Sequence, residues 1–348
     1  MRSLGPWALL AAAMLLVGGG LQAAGLPAAF LFGSLVVGLG FALAAPGRFE
    51  LPAMTFKAAQ AVLGVVLGAY MQASSLEALA QDWLPVALVT AATLGISFAA
   101  SAAVARLTGL DPVTAALGLV AGGASGIVSM ADELGADDRL VAFMQYARVL
   151  IVVLATPLVV ALAFHDGSGA GASRPDEGPL LGGPGAWVLT AAVAAAGVAS
   201  ARLVRLPVPT LLGPMLVAGA VALIAPPGTL EPPPLLREVA FAVIGVQIGL
   251  RFTAATVGDV GRLAAPVLVA IAGMIVACFG LAVGLAAVTS VSLLDAYLAT
   301  TPGGLYAVLA AGFGAGADTT FILAVQTLRV FVMVLVAPPV ARRLAREA

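Results

Sequence analysis

Laid out by polarity, the chain is a succession of long apolar runs separated by short polar or Gly/Pro-rich joints. Runs such as Trp83 to Val104 and Ala264 to Val288 reach the ~20 residues that a helix needs to cross a hydrocarbon core. In lipid the backbone must satisfy its own N–H and C=O groups, so runs of this length predict helices. The first half offers six runs, at 5–21, 27–45, 55–73, 84–105, 112–133 and 139–164. The fifth differs from the rest. Gly122 and Gly123 interrupt it, and Pro302, Gly303 and Gly304 interrupt the matching run of the second half.

The two halves match because the unit is written twice. A shift of 181 positions lays Gly64 on Gly245, Gly68 on Gly249, Pro85 on Pro266 and Gly122-Gly123 on Gly303-Gly304. The same shift lays Gly135-Ala136-Asp137 on Gly316-Ala317-Asp318, Gln145 on Gln326, Arg148 on Arg329 and Pro157 on Pro338. Nearer the start a shift of 180 lays Trp7 on Trp187, Leu26-Pro27 on Leu206-Pro207 and Gly33 on Gly213. The first run could pass for a secretory signal, yet the match begins inside it at Trp7. A cleavable signal has no reason to recur internally, so the first run reads as a retained helix. The expected organisation is a first membrane repeat at 1–165, a flexible linker at 166–184 rich in Gly, Ser, Pro and acid, and a second membrane repeat at 185–348.

Does the broken fifth run cross the bilayer or turn back? Cytoplasmic loops carry an excess of Lys and Arg. With five crossings per copy and an inner N-terminus, twelve basic residues lie inside and only Arg174 and Arg237 outside, a score of 12 to 2. With six crossings per copy the score falls to 9 to 5. An odd number of crossings inverts the second copy. The expected fold is therefore an all-α integral membrane protein of two inverted-topology repeats. Each has about five transmembrane helices plus one broken or re-entrant segment, and both termini are cytoplasmic. Inverted repeats with Gly/Pro-interrupted segments in matching positions point to a secondary transporter. The plainer alternative is a larger bundle whose glycines ease helix packing.

Composition narrows the chemistry. Only 9% of the residues are charged and 61% are hydrophobic, against about 25% charged in a soluble domain. The net charge of -1 comes with no basic patch, so no nucleic-acid partner is expected. The single cysteine, Cys278, and single histidine, His165, exclude an intramolecular disulfide and leave too few ligands for a copper, iron or zinc centre. No metal and no other cofactor is expected. No nucleophile–base pair is evident either, so the chain is not expected to be an enzyme.

What remains is polar chemistry inside apolar runs. Gly122, Gly123, Gly303 and Gly304 can open a helix and free backbone groups, which then need protein or a water-lined cavity around them. Arg148 and Arg329 each lie eleven residues past a repeated Asp, hence ~15 Å along a helix and near mid-membrane. An arginine there costs about 2.5–3.5 kcal/mol even on the insertion scale and reads as functional by default. Its forked donors suit a carboxylate or other oxyanion, while a structural reading has it tie down the open carbonyls of the break. Gln145 and Gln326, three residues earlier on the same helix face, could add amide contacts. Asp137 and Asp318 open the sixth run of each copy and read as helix N-caps or ion sites. Tyr306, Ser125 and Ser129 flank the breaks. Asp132, Glu133 and Asp138 have no acidic counterpart in the second copy and read as a solvated loop.

At these residues the chain resembles the AbrB-type membrane protein family, whose members are labelled ammonia monooxygenases or regulators of them. The resemblance covers both copies. It is carried by Thr301-Pro302-Gly303-Gly304, by Gly-Ala-Asp at 135–137 and 316–318, and by the Gln-x-x-Arg pairs followed by Pro157 and Pro338. The first copy departs from the pattern at Ala121, where the second has Pro302. The resemblance implies a multi-pass protein of the bacterial inner membrane, transporter-like, with a regulatory label. The small DNA-binding proteins that share the family's name have a basic soluble fold, which nothing here matches. The expected partners are thus the lipid bilayer and a small-molecule substrate, with an organic anion as the guess. A homo-oligomer is left open, as is a membrane-embedded regulator or sensor that affects gene expression without transport.

Overall fold

A computed structural model of the protein describes residues 4–26, 28–120, 127, 131, 134–164, 179–204, 206, 208–226, 228–251 and 263–347. Among them the regular structure is helical, in fourteen helices. The first half gives α1 (Leu4–Ala23), α2 (Ala29–Ala44), α3 (Ala53–Ala69), α4 (Ala73–Gln81), α5 (Trp83–Thr108), α6 (Pro112–Leu119) and α7 (Asp138–Ala163). The second gives α8 (Pro184–Leu203), α9 (Pro209–Ile224), α10 (Pro234–Leu250), α11 (Ala264–Val288), α12 (Leu293–Thr300), α13 (Leu305–Ala315) and α14 (Thr319–Glu347). The first, second, third, fourth and sixth apolar runs of the first half are helices near their expected bounds, while of the fifth run, at 112–133, the helix described is Pro112–Leu119.

Five helices are long and apolar enough to cross a membrane: α1 from Gly5, α5, α7, α8 and α11. Four of them are counterparts, α1 with α8 and α5 with α11. The helices α3 and α4 would add a sixth span only as one element bent by 91°. That bend is a departure from the expected straight third run. It follows Tyr70, beyond which Ser74, Ser75, Glu77 and Gln81 give α4 a polar face that a spanning helix would not carry. Shorter apolar helices complete the set: α2, α9, α13 and the first part of α14 up to Met333.

The chain divides into two compact units, and each draws on both sequence copies. Unit 1 comprises Met1–Ala78, Val160–Arg251 and Leu309–Phe321, and unit 2 comprises Leu79–Val159, Phe252–Val308 and Ile322–Ala348. Unit 1 is built by exchange. Helix α2 of the first copy packs on α10 of the second, and α9 of the second copy packs on α3 of the first. Lipid tails are as apolar as Leu, so helices in a membrane associate through close backbone approach at small residues. The structure uses that device twice over. A Cβ at Gly64 would overlap the carbonyl oxygen of Leu211, and one at Gly68 that of Met215. The counterparts behave alike, Gly245 against Leu31 and Gly249 against Leu35. The first helix also docks as its counterpart does. A Cβ at Gly33 in α2 would come within 2.6 Å of the Gly18 backbone in α1, and one at Gly213 in α9 would overlap Gly197 in α8.

Only the end of the 166–184 linker lies within the described residues. There the Leu180 carbonyl accepts from the Leu235 N–H at 3.1 Å, and the Leu181 carbonyl from the Trp187 indole at 2.6 Å.

In unit 2, α5 packs against α6, α11 and α12, and α11 against α12. Two apolar clusters hold it. One joins Val104, Leu119, Phe143, Met144, Val267 and Ile271; the other joins Leu94, Val113, Leu117, Val141 and Met333. The short helices α6 and α12 are buried along most of their length, so their C-terminal carbonyls must find donors inside the protein.

Candidate functional site

Helix α6 ends at Leu119 and α12 at Thr300, after eight residues each. Both start on a capped first turn. Asp111 accepts from the Thr114 N–H at 2.8 Å and from its hydroxyl at 2.9 Å. At the equivalent point Ser292 accepts from the Asp295 N–H at 3.1 Å. Every α-helix leaves its last four carbonyls without intrahelical partners. For a half-helix buried inside a membrane protein that is several kcal/mol of unmet hydrogen bonding, roughly, unless side chains supply donors.

The repeated Gln and Arg supply them. From α7, Gln145 Nε2 donates to the Leu117 carbonyl at 2.6 Å and the Val120 carbonyl at 2.9 Å. Arg148 Nη1 donates to the Leu119 and Val120 carbonyls at 3.0 and 2.8 Å, and Nη2 to Gln145 Oε1 at 2.8 Å. From α14, Gln326 Nε2 donates to the Leu298 and Thr301 carbonyls at 2.9 and 3.3 Å. Arg329 Nη1 donates to the Thr301 carbonyl and Nη2 to Gln326 Oε1. Under the 181-residue shift the Leu117 and Val120 carbonyls correspond to those of Leu298 and Thr301. Each copy thus carries an arginine–glutamine bracket on the C-terminal end of its own half-helix, where a cation also meets the negative end of the helix dipole.

Charge is what the brackets leave over. Arg148 and Arg329 are 1% and 4% exposed, and their Nε atoms are buried without a hydrogen-bond partner. An ion pair elsewhere joins Arg237 and Glu238.

The second break is in view. Thr301 to Gly304 separate α12 from α13, with Gly303 at φ 113° and Gly304 at φ 70°. A side chain is strained at either angle, and Gly303 has no room for one. A Cβ there would lie 3.1 Å from Arg148 Nε, so the bracket of the first copy rests against the break of the second. A Cβ on Gly304 would meet Val152 at 3.0 Å. Gly122, Gly123, Ser125, Ser129, Asp132 and Glu133 lie outside the described residues.

Other expected residues are placed as follows. Asp137 Oδ1 accepts from the Arg139 and Leu140 N–H groups at 3.0 and 3.1 Å, and Asp318 Oδ1 from that of Phe321 at 3.0 Å. Both carboxylates cap the helix that carries a bracket. Tyr306 is half-buried in α13. Among the described residues no three His, Cys, Asp or Glu side chains come together to hold a metal. Arg237, counted with the outer charges, is 7% exposed in unit 1. Its guanidinium pairs with Glu238 at 2.8 Å and stacks 4.6 Å above the Phe313 ring.

One feature escaped the sequence reading. Helix α12 carries Tyr297, Thr300 and Thr301 where α6 has Ala116, Leu119 and Val120. The Thr301 hydroxyl donates to the Tyr297 carbonyl at 2.7 Å, and the Thr300 hydroxyl donates to the Cys278 carbonyl at 3.1 Å. The available signal was a loss of symmetry, hydroxyls in one copy where the other has aliphatic side chains.

The duplicated brackets are built from the Gln-x-x-Arg pairs on which the family resemblance rests. A family model described as "Transition state regulatory protein AbrB" matches residues 5–345. The chain belongs to the AbrB membrane protein family. One relative matches it over nearly its full length. "Putative regulator AbrB" of Escherichia coli (strain K12) is 36% identical over 342 residues, 98% of this chain and 97% of the relative. "Uncharacterized protein YhjN" of Bacillus subtilis (strain 168) is 29% identical over 296 residues, 82% and 77% of the two. With its apolar helices, this AbrB-family chain is a multi-pass membrane protein.

Proposed function

We propose that the chain moves a small organic anion across the bilayer by alternating access, as a secondary transporter does. The observation that carries the reading is the pair of buried guanidiniums, Arg148 and Arg329. Each is held on a half-helix end by carbonyls and an amide, and each keeps an unpartnered Nε–H. A structural clamp alone would not need two buried positive charges in a medium where each costs about 2.5–3.5 kcal/mol. An oxyanion between them would take up the free donors and neutralise the pair. The brackets would keep both guanidiniums placed and charged while the site is empty.

Two further features support it. The repeated interrupted segments have the pattern that marks the substrate site in inverted-repeat transporters, and the distribution of Lys and Arg favours an odd number of crossings per copy. Beside the second break Tyr297, Thr300 and Thr301 carry hydroxyls where the first copy has Ala116, Leu119 and Val120. On this reading the two sides of the site differ, and the substrate binds in one orientation.

A regulatory role is the second reading, favoured by the printed name of the Escherichia coli relative. A reconstitution experiment separates the two. Purified protein in liposomes is offered a panel of labelled mono- and dicarboxylates. Saturable uptake of a subset, weakened in Arg148→Gln and in Arg329→Gln, supports transport. A folded wild type that moves and binds none of the panel rejects it. Topology is tested by reporter fusions after residue 170 and at the C-terminus, and a cytoplasmic linker would contradict the inverted arrangement.

A further inference from the structure

Away from the brackets, unit 1 contains a groove of about 650 Å³ between the start of α1 and the end of α2. Its walls include Leu9, Val37, Gly40, Phe41 and Ala44, and the one charged side chain on its lining is Arg48. Leu9 is 62% exposed, so the groove opens on the outside of the helices.

Three observations set the depth and the occupant. Trp7 and Phe41 both meet the Phe49 ring edge-on, each at 5.3 Å between centroids, beside the groove's charged end. Of the three, Trp7 is of the type enriched at the level of the lipid headgroups. Arg48 is exposed at that same end, where a guanidinium can fork onto a phosphate. The rest of the groove is aliphatic and aromatic, with Gly40 leaving a gap in which no atom lies within 4 Å of a would-be Cβ. A charged mouth at headgroup depth above an apolar slot has the chemistry of one anionic phospholipid.

We propose that this groove is a specific site for an anionic phospholipid. One acyl chain lies along Leu9, Val37, Gly40 and Phe41, and the phosphate rests on Arg48. Basic residues at the inner membrane surface attract anionic headgroups, with about 1 kcal/mol per cation. The groove adds selection for a lipid held at one place. The proposal does not depend on the transport reading.

The test uses the purified full-length protein in a mild detergent, probed with phosphatidylglycerol and phosphatidylcholine of identical acyl chains. Thermal unfolding and native mass spectrometry are the readouts. The expected result is stabilisation by phosphatidylglycerol over phosphatidylcholine, with one tightly retained lipid. The preference should shrink about fivefold in affinity in Arg48→Gln, the equivalent of 1 kcal/mol, and survive in Arg48→Lys. Filling the slot with Gly40→Leu should remove the retained lipid while leaving Arg48 in place. Arg343→Gln, a change at another exposed arginine, should leave the preference intact. Equal stabilisation by both lipids would overturn the proposal. So would a phosphatidylglycerol preference unchanged in Arg48→Gln, or one lost equally in Arg343→Gln, since either makes the attraction diffuse.

Discussion

Replacing Gln145 with Leu removes one bracket's amide and leaves the arginine in place. Three buried hydrogen bonds vanish: two donated to the Leu117 and Val120 carbonyls at 2.6 and 2.9 Å, and one accepted from Arg148 Nη2 at 2.8 Å. The Val120 carbonyl keeps its bond from Arg148 Nη1. The Leu117 carbonyl and a charged Nη2 lose those bonds. A buried neutral acceptor left unmet costs about 1–3 kcal/mol, and a charged donor more. Interhelical hydrogen bonds in membrane proteins average only about 0.6 kcal/mol in double-mutant cycles, because the unfolded chain in lipid also finds partners. The half-helix end is the exception to that leniency. Its carbonyl is free only because the helix stops there, and an unbroken helix in the unfolded state would satisfy it. The expected loss is therefore about 2–4 kcal/mol, for Gln145→Leu and equally for Gln326→Leu. Reversible unfolding of the purified protein by sodium dodecyl sulfate in mixed micelles gives the number. A loss below about 1 kcal/mol in both variants would refute the view that the amides hold the half-helix ends.

The helix exchange in unit 1 predicts that Gly64→Ala and Gly245→Ala each cost about 1–3 kcal/mol, the usual range for overpacking, since each new Cβ meets a backbone carbonyl. Gly273→Ala, with nothing within 4 Å, should be neutral or stabilising in the same unfolding assay. Gly303→Ala must adopt a φ near 113° and displace Arg148 Nε. It should cost about 2–4 kcal/mol as strain plus contact, and a wild-type unfolding curve would show that the break is not held as described. Arg237→Lys loses the stack on Phe313 and the two-pronged contact with Glu238. It should lower stability by about 1 kcal/mol, with Phe313→Leu and the double variant showing coupling in a thermodynamic cycle.

The helices were legible because lipid enforces the simplest code there is, an apolar run of fixed length. The duplication was legible because Gly, Pro and Arg cannot drift into apolar runs unnoticed. Partner choice was hidden. Nothing in the spacing of Gly64 and Gly68 says that they face the other copy, because a small-xxx-small stripe looks the same whatever helix it meets. The position of each break was shifted as well. The eye goes to Gly303 and Gly304, but α12 already ends at Thr300 and Arg329 is bound to the Thr301 carbonyl. The glycines follow the helix end and let the backbone turn away. Of the two readings open for Arg148 and Arg329, the structure shows the carbonyl clamp, and the anion ligand is the proposal. Their Nη1 and Nη2 atoms hold the carbonyls and the amide, while the Nε atoms stay free. The side chains beside Tyr297 were missed because an alignment of two copies draws attention to what agrees, and here the informative residues disagree.

The account turns on an anion held between two guanidiniums, and uptake into liposomes measures it most directly. Wild-type protein, Arg148→Gln and Arg329→Gln, each first shown to unfold cooperatively, are compared on the carboxylate panel. The prediction is saturable uptake of at least one anion by the wild type, reduced at least about tenfold in each variant, the equivalent of 1.4 kcal/mol. Uptake that is unchanged in both variants would contradict the account.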